Sequence, residues 1–487
     1  MMGIRMKIPP KGLTKEEILK ILKNYKGEDL DWKSGKVFGY IYDPGQKAHD
    51  VIDDAYTLYL TENALDPLSF PSLLRLENEV VAMTAGLLDC DQEVVGNFTT
   101  GGTESLILAV KTARDYARAV KPHIKEPELV LPISGHASLF KACHYLGVKP
   151  VVTPVQDDTF QADVAAMRAA VTDNTILLVG SAPGYAHGVV DPIAQIAALA
   201  QEKGVLCHVD ACVGGIHLSY MRKLGHDVPD FNMNVPGVTS LSVDLHKYGY
   251  AAKGASIILY NNKELRKYQF WACSRWTGYT VINPAVTSSK TGGPMAAAWA
   301  VLNYMGDEGY MEIVAEVMAA TKKLIDGVNR IDGLRVLGQP NMCMFALAST
   351  TERINVYRLA DEMKKKGWYL QPQFARDNSP SNLHISLTRA TVSRAEAFLK
   401  AFEETVAELK QQPMDQKTRD LQDELKKLSL KYDDETFFKL AEMAGVTGTE
   451  APQSMEKVNM LLEVLPYDVS EFMLTEYLNN MMVPDRE

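Results

Sequence analysis

Hydrophobic residues between residue 61 and residue 305 recur in two alternating patterns, one typical of amphipathic helices and the other of buried strands. Helical spacing extends over Leu73–Leu88, Thr103–Val120 and Ile193–Lys203. Short apolar runs predict strands at Leu129–Leu131, Val151–Val152, Ile176–Val179, Val205–Val209, Leu241–Val243 and Ile257–Leu259. Strands and helices that alternate at this spacing predict an α/β domain with a largely parallel sheet covered by helices.

The pattern after residue 305 is that of a smaller α+β domain. Helical and strand-like stretches follow one another at Tyr310–Ile331, Leu334–Leu337, Met342–Ala348, Ile354–Lys366, Leu383–Leu387 and Arg394–Gln411. We therefore expect an N-terminal segment at 1–60, a large domain at 61–305, a small α+β domain at 306–412 and a helical C-terminal extension at 413–487.

The composition is that of a soluble globular protein, with 487 residues of which 46% are hydrophobic and 23% charged. The formal net charge of −10 argues against a nucleic-acid partner, because phosphate backbones are bound by clustered Lys and Arg. No apolar run approaches the length of a membrane span, and no signal peptide is evident. The six cysteines lack zinc-ligand spacing, so we expect reduced thiols and no metal. The sequence thus predicts a cytoplasmic protein.

A lysine stands just after one predicted strand, in the sequence Val243-Asp244-Leu245-His246-Lys247. Burial disfavours the charged form of an amine, so a lysine at the end of a buried strand can have a lowered pKa and act as a nucleophile. Most lysines in such places are surface groups, and the motif is weak evidence on its own.

An aspartate, Asp210, ends another predicted strand. A carboxylate in this position can keep a proton on the ring nitrogen of a pyridoxal 5′-phosphate (PLP) cofactor, which makes the ring an electron sink. The alternative is that Asp210 only caps the following turn.

Two further signals lie earlier in the chain. Gly101, Gly102 and Thr103 stand at the start of a predicted helix, where N–H groups and the helix dipole favour a phosphate, although a flexible turn with a helix cap would look the same. His136 follows a strand, where its imidazole could stack on a bound ring, although one such histidine is more often structural. All of these signals lie at strand ends, where open α/β sheets bind ligands, and together they predict a PLP enzyme with a Schiff base on Lys247.

The sequence resembles the group II decarboxylase family of fold-type I PLP enzymes, and most closely its sphingosine-1-phosphate lyase branch. The resemblance covers roughly residues 10–410. It is carried by the stretches TTGGTESLILAVKTARD, HGVVDP, HVDACVGG, GVTSLSVDLHKYGYAAKGAS, TGGPMAAAWA, RLADEMKKKGW, SGKVFGYIY and NALDPLSFPSL.

The resemblance implies a fold-type I, PLP-dependent transferase-like fold and a role for each matching residue. Lys247 would carry the cofactor, His246 would lie at its phosphate, Asp210 would pair with its ring nitrogen, and His136 would stack on its ring.

Gly102 and Thr103 would also hold the cofactor phosphate. In the family, a Ser-Arg-Pro-Gly-Gly segment reaches this phosphate from the second subunit of a homodimer. Here Ser289 fits that pattern, while Lys290 and Thr291 replace its Arg and Pro. The resemblance therefore implies an active site at a homodimer interface.

The substrate-phosphate pocket of the resembled branch corresponds to Phe38, Asn63, Asp66 and Lys253. Asn63 and Lys253 match it, whereas Phe38 stands in the place of a tyrosine and Asp66 in the place of a histidine. A carboxylate would repel a substrate phosphate, and Asp66 could pair with Lys253 instead. We therefore expect an altered phosphate site.

Two reactions agree with this sequence. The first is retro-aldol cleavage of the Cα–Cβ bond of a 2-amino-3-hydroxy compound to an aldehyde and an amine; the second is decarboxylation of an L-amino acid. Lys247, His246 or Tyr185 could move the protons in either reaction, and the sequence does not rank them. The small-molecule substrate stays open at this point.

Overall fold

The computed structural model describes residues 8–412, Leu440 and residues 454–483. Its helices are α1 (Lys15–Lys26), α2 (Gln46–Leu58), α3 (Pro71–Leu87), α4 (Gly102–Val120), α5 (Ala137–Leu146), α6 (Val164–Ala170), α7 (Ile193–Lys203), α8 (Gly215–Lys223), α9 (Lys263–Arg266), α10 (Gly293–Arg330), α11 (Val356–Lys365), α12 (Arg389–Val392), α13 (Ala395–Gln411), α14 (Glu456–Val464) and α15 (Tyr467–Met481). Its strands are β1 (Val95–Thr99), β2 (Glu128–Pro132), β3 (Lys149–Thr153), β4 (Thr175–Ser181), β5 (Leu206–Asp210), β6 (Ser240–Asp244), β7 (Ser256–Tyr260), β8 (Trp271–Cys273), β9 (Val281–Asn283), β10 (Leu334–Val336), β11 (Met344–Ser349), β12 (Gln371–Gln373) and β13 (Asn382–Ser386).

The large sheet has seven strands in the order β1-β7-β6-β5-β4-β2-β3. Strands β2 to β6 pair in parallel, and β7 runs antiparallel between β6 and β1. Strands β2, β4, β6 and β7 are buried along their whole length, because helices cover both faces of the sheet. The expected α/β fold with a mostly parallel sheet is therefore confirmed.

One strand of this sheet was not predicted from its hydrophobic pattern. Strand β1 reads VGNFT, and its Gly and Asn are uncommon in strands. It forms because all five of its residues pair with β7, from Val95 with Tyr260 to Thr99 with Ser256. This pairing brings the end of β1 to the edge of the sheet where β5 and β6 also end.

The small sheet is antiparallel, with the order β10-β11-β13-β12. The ring of Phe38 packs beside it, 4.7 Å from the ring of Phe398 and 6.2 Å from that of Trp368. Phe38 is fully buried, and its N–H donates to the carbonyl of Tyr369. Phe38 thus lies in the apolar core and not in a substrate pocket, which differs from its expected position.

Helix α10 connects the two sheets and is interrupted once. Gly306 has φ 55° and ψ −178°, a left-handed backbone conformation that favours glycine. The interruption falls where the hydrophobic pattern changes along the sequence. The proposed boundary between the large and small domains, at 305/306, is at this point.

No helix among the described residues is long and apolar enough to cross a membrane. The expected helical extension at 413–487 lies outside the described residues, except for Leu440 and residues 454–483. Within that last stretch, α14 and α15 agree with the helical pattern of the sequence.

Candidate active site

A cavity of about 560 Å³ opens at the edge of the large sheet where β1, β4, β5 and β6 end. Its lining includes eight of the residues expected from the sequence, namely Gly102, Thr103, His136, Tyr185, Asp210, His246, Lys247 and Lys253. Because parallel strands place their carboxyl ends at one edge of a sheet, residues far apart in the chain meet there.

A buried ion pair joins Lys247 to Asp244 at the bottom of this cavity. The Lys247 Nζ lies 2.8 Å from Oδ2 of Asp244, whose side chain is only 2% exposed. His246 Nε2 lies 3.7 Å from the same oxygen. Asp244 was overlooked in the sequence, although its position three residues before Lys247 was a signal that could have identified it.

The ion pair changes the pKa of both partners. Burial works against the charge of Lys247, but the carboxylate of Asp244 outweighs it and raises the pKa of the amine above its ordinary value. Burial alone would raise the pKa of Asp244, whereas the charge of Lys247 lowers it below its ordinary value. The expectation of a lowered pKa at Lys247 was therefore wrong, because it left out Asp244.

Helix α4 begins directly against the carboxylate of Asp244. A Cβ atom at Gly102 would lie 2.7 Å and 2.9 Å from the two carboxylate oxygens and 3.0 Å from Sγ of Cys212. Since Asp244 is buried and paired with Lys247, it cannot move aside at low cost. Glycine at position 102 is therefore required to bring the N–H groups of α4 to the cavity.

A second overlooked acid holds the turn before α4. One carboxylate oxygen of Glu104 accepts hydrogen bonds from the N–H (2.6 Å) and hydroxyl (2.8 Å) of Thr100. The other accepts from the N–H of Val286 at 2.6 Å. Glu104 therefore ties the glycine turn to the segment that precedes Ser289.

Asp210 is held at the end of β5 by local hydrogen bonds. Its Oδ1 accepts from the N–H of Cys212 at 3.1 Å. Two residues earlier, the imidazole of His208 lies between the hydroxyls of Ser240 (2.8 Å) and Ser242 (3.2 Å). Burial lowers the pKa of His208 to about 4, so this ring adds no charge beside Asp210 near neutral pH.

His136 caps the start of α5 with its side chain. Its Nδ1 accepts a hydrogen bond from the N–H of Ser138 at 3.2 Å, which fixes the direction of the exposed ring. The hydroxyl of Ser138 lies 2.8 Å from that of Thr103, the second residue of α4. The ring at the cavity wall and the turn at its floor are thus connected.

Tyr185 reaches the cavity from the turn after β4. Its ring stacks on His384 with the centroids 4.2 Å apart, and its hydroxyl donates to Oε1 of Gln371 at 2.7 Å. Burial raises the pKa of the phenol above its ordinary value, so the hydroxyl keeps its proton near neutral pH. Both contacts come from the small sheet.

Lys253 lies at the cavity beside Tyr42, another residue that sequence reasoning missed. The Nζ of Lys253 lies 4.8 Å from the centroid of the Tyr42 ring and 3.4 Å from the carbonyl oxygens of Tyr40 and His246. Burial and the charge of Lys247 lower the pKa of Lys253. Tyr42 stands in the SGKVFGYIY segment, four residues after the core residue Phe38, which was a usable signal.

Four expected site residues lie outside the cavity of their own chain: Phe38, Asn63, Asp66 and Ser289. Asp66 accepts hydrogen bonds from the hydroxyl of Ser69 (2.7 Å) and the N–H of Leu68 (2.9 Å) in its own turn, and the Ser69 hydroxyl in particular lowers its pKa. The expected ion pair between Asp66 and Lys253 is absent among the described residues. Asn63 Oδ1 accepts from the N–H of Lys290 at 3.1 Å, next to Ser289.

The residues of the cavity fit a PLP cofactor. No side chain fits at Gly102, Lys247 provides an amine, and Oδ1 of the buried Asp244 has no hydrogen-bond partner among the described residues. Lys247 would hold the cofactor, Asp210 its ring nitrogen, His136 its ring face, and the start of α4 its phosphate. In the part of the chain that the structure describes, no group of His, Cys, Asp and Glu could hold a metal ion.

We expect the substitution Lys247→Met to destabilise the cofactor-free protein in a pH-dependent way. Without the cation, burial would raise the pKa of Asp244, and stability from a group with a raised pKa is present at low pH and lost as the pH rises. The free energy of unfolding in urea at neutral pH should fall by about 3–5 kcal/mol relative to the cofactor-free parent, and the difference should shrink toward about pH 5.

Two further variants control this experiment. Asp244→Asn combined with Lys247→Met should recover most of the lost stability, because no charge is then left buried without a partner. Lys253→Met removes a cation that has no carboxylate partner in the described chain, and should change the free energy of unfolding by less than about 0.5 kcal/mol. A loss in Lys247→Met that is the same at every pH would contradict the role of Asp244.

Comparison with known proteins agrees with this geometry. The model of the pyridoxal-dependent decarboxylase conserved domain matches residues 11–346, and a model described as a C-terminal helix-turn-helix domain of pyridoxal-dependent enzymes matches residues 413–480. The sphingosine-1-phosphate lyase of Arabidopsis thaliana is 40% identical over 414 residues, which is 83% of this chain and 74% of that protein.

Solved structures show the same similarity. The sphingosine-1-phosphate lyase Bpss2021 of Burkholderia pseudomallei is 34% identical with a TM-score of 0.79, covering 86% of this chain and 96% of that one. The glutamate decarboxylase of Lactobacillus brevis shares the fold, with a TM-score of 0.73 at 19% identity over 84% of this chain and 96% of that one. The chain therefore belongs to the pyridoxal-dependent decarboxylase family, and it is a PLP-dependent lyase.

Proposed function

We propose that this lyase cleaves the Cα–Cβ bond of a phosphorylated 2-amino-3-hydroxy compound, giving an aldehyde and phosphoethanolamine. Sphingosine 1-phosphate is the first candidate substrate, because the related lyases are named after it. The observation that carries the proposal is Lys253, a cation at the cavity that no carboxylate of the described chain neutralises within 4 Å. The ammonium of Lys253 contacts the carbonyl of Tyr40 and the ring of Tyr42, and neither carries a negative charge. A bound phosphate would supply that charge.

The cofactor, when bound, supplies the electron sink for the cleavage. Asp210 keeps a proton on the ring nitrogen. The neutral His246 can take the proton of the substrate hydroxyl at Nε2, because its Nδ1–H donates to the carbonyl of Ala255 at 2.8 Å and burial lowers its pKa. Lys247, which Asp244 keeps protonated, can return a proton to the carbon left after cleavage. Tyr185, whose proton goes to Oε1 of Gln371, offers a hydroxyl oxygen that can accept a hydrogen bond from the substrate.

The expected weakness of the phosphate site does not arise within one chain. Asp66 uses its carboxylate in its own turn, and Lys253 is not paired with it. Decarboxylation is supported less well, because the sphingosine-1-phosphate lyase of Arabidopsis thaliana is 40% identical to this chain and the glutamate decarboxylase of Lactobacillus brevis only 19%. Decarboxylases have the same fold, so the two reactions must be distinguished by analysing their products.

Product analysis tests this function. The holoenzyme with sphingosine 1-phosphate should yield a long-chain aldehyde and phosphoethanolamine in mass spectrometry, and amino acids such as glutamate should release no CO₂. Lys253→Met should lower kcat/KM for the phosphorylated substrate by roughly ten- to a hundredfold, since a charge-assisted hydrogen bond contributes about 1.5–3 kcal/mol.

Lys253→Arg is the matched control and should retain part of the activity, because it keeps the positive charge. Kinetics with sphingosine itself should be almost unaffected by Lys253→Met, since that substrate has no phosphate. Release of CO₂ and an amine from an amino acid, without cleavage of the amino alcohol phosphate, would establish the decarboxylase alternative instead.

We also propose that the active enzyme is a homodimer with its active sites at the interface. Asn63, Asp66 and Ser289 lie together outside the cavity of their own chain, so any contact with a cofactor or substrate requires a second chain. Large apolar side chains beside them are exposed, among them Leu68 (90%) and Ile282 (63%). A second copy would cover this surface and bring Asn63 and Ser289 to its own cavity, while the carboxylate of Asp66 stays in its own turn.

Charge introduced on this surface tests the assembly. Leu68→Asp and Ile282→Asp should weaken the dimer by on the order of a hundredfold, because an unpaired charge would be buried, and activity should fall with it. Val120→Asp, on the exposed end of α4, serves as the control. Sedimentation and activity are measured on the same samples, and a fully active monomer would disprove the shared site.

We infer a cytoplasmic location from the cysteines. All six are free, and Cys143, Cys207, Cys212 and Cys343 are buried. Free thiols persist where the surroundings are reducing, and this supports a cytoplasmic enzyme.

A further inference from the structure

The C-terminal helices α14 and α15 pack against the small domain close to the strands that hold Tyr185. Residues 454–483 contain five acidic residues and one basic residue, a charge that does not suit nucleic acid. Their contacts run instead toward α11 and toward the connection between β12 and β13.

Two neighbouring residues of the small sheet fix the side chain of Tyr185. Gln371 on β12 and His384 on β13 are directly paired across the two strands. Gln371 accepts the hydrogen bond of the Tyr185 hydroxyl at 2.7 Å, and His384 stacks on its ring. The position of the hydroxyl in the cavity therefore depends on where this pair of strands lies.

The connection between these strands is fastened to the large domain on one side. The hydroxyl of Ser379 lies 2.8 Å from Nε2 of the buried His187, two residues after Tyr185. Asn378 donates to the carbonyl of Val155 at 2.7 Å and to the carboxylate of Asp157 at 2.6 Å. These contacts hold the second half of the connection, which two backbone hydrogen bonds between Ser379 and Arg376 join to the first half.

Helix α14 fastens the first half. Oε1 of Glu463 accepts hydrogen bonds from the N–H of Ala375 and from the hydroxyl of Tyr357, both at 2.8 Å. The guanidinium of Arg376 lies 5.1 Å from the centroid of the Tyr467 ring, at the start of α15. A single carboxylate thus joins the C-terminal helices, α11 and the β12–β13 connection.

The other end of α14 is fixed as well. Asp361 on α11 accepts hydrogen bonds from the hydroxyl of Ser454 at 2.7 Å and from the N–H of Glu456 at 2.9 Å. Because α14 is held at both ends, Glu463 has a fixed position from which it can hold Ala375.

We propose that the C-terminal helices brace the β12–β13 hairpin and so position the Tyr185 hydroxyl for the reaction, with Glu463 as the positioning residue. The proposal rests on the role for Tyr185 described above. Without Glu463, the N–H of Ala375 and the hydroxyl of Tyr357 lose their acceptor, and the start of the connection is released. Gln371, four residues before Ala375, then no longer holds the hydroxyl in one place.

Three variants of the full-length holoenzyme test the brace. Glu463→Leu removes the acceptor, Glu463→Gln keeps an oxygen acceptor of the same length, and Glu471→Leu removes an exposed acid on α15 as the control. Glu463→Leu should lower kcat on the order of tenfold at unchanged cofactor absorbance and KM, within the range that a small misplacement of a reacting group causes. Glu463→Gln should restore most of this loss, and Glu471→Leu should behave like the parent.

A double-mutant cycle with Tyr185→Phe separates positioning from a general loss of structure. The effect of Glu463→Leu on kcat should vanish in the Tyr185→Phe background, because no hydroxyl is left to position. An equal loss in both backgrounds would overturn the proposal, as would a Glu463→Gln variant as inactive as Glu463→Leu.

Hydrogen exchange distinguishes a failure of the brace from a failure of the proposed chemistry. If Tyr185→Phe itself leaves kcat unchanged, the role of Tyr185 is wrong, and the brace is judged by amide exchange across residues 371–384. Glu463→Leu should speed this exchange several-fold and Glu463→Gln should not. An unchanged rate of amide exchange in Glu463→Leu would show that α14 does not stabilise the β12–β13 hairpin.

Discussion

The buried ion pair between Lys247 and Asp244 is the constraint on which the active site depends. The side chain of Asp244 is only 2% exposed, so its charge must be stabilised within the protein. Lys247 lies 2.8 Å away, and the start of α4, the positive end of the helix dipole, lies beside the carboxylate. The same contact requires glycine at position 102 and so opens the space in which a phosphate fits. The amine of Lys247, the carboxylate of Asp244 and the phosphate-binding start of α4 therefore pack directly against one another.

The second constraint is that the cavity is completed from the small sheet. Lys247, Asp210 and His136 stand on the large domain, whereas the ring and hydroxyl of Tyr185 are held by His384 and Gln371. In the proposed mechanism, the chemistry of the site therefore depends on how the small sheet is fixed. This gives the contacts of α14 a functional meaning that their distance from Lys247 would not suggest.

Sequence reasoning predicted the mostly parallel sheet and eight of the residues that line the cavity. Both follow from local sequence patterns, since the sheet is indicated by the apolar runs and the lining residues stand at strand ends or helix starts. It missed strand β1, which is held by pairing with β7 and not by its own residues. It missed Asp244 and Tyr42, although the position of Asp244 three residues before Lys247 and that of Tyr42 four residues after Phe38 could have identified them. It placed Phe38 in the substrate pocket, where matching along the sequence could not show that its ring faces Phe398 and Trp368.

The most direct test of this account is to reduce the holoenzyme with borohydride, digest it and map the pyridoxyl group by mass spectrometry. Reduction makes the bond between cofactor and lysine permanent, so the labelled peptide identifies the residue that holds the cofactor. The account predicts one label, on Lys247, and none in Lys247→Ala. A pyridoxyl group on Lys253 or Lys290, or a label that persists in Lys247→Ala, would contradict it.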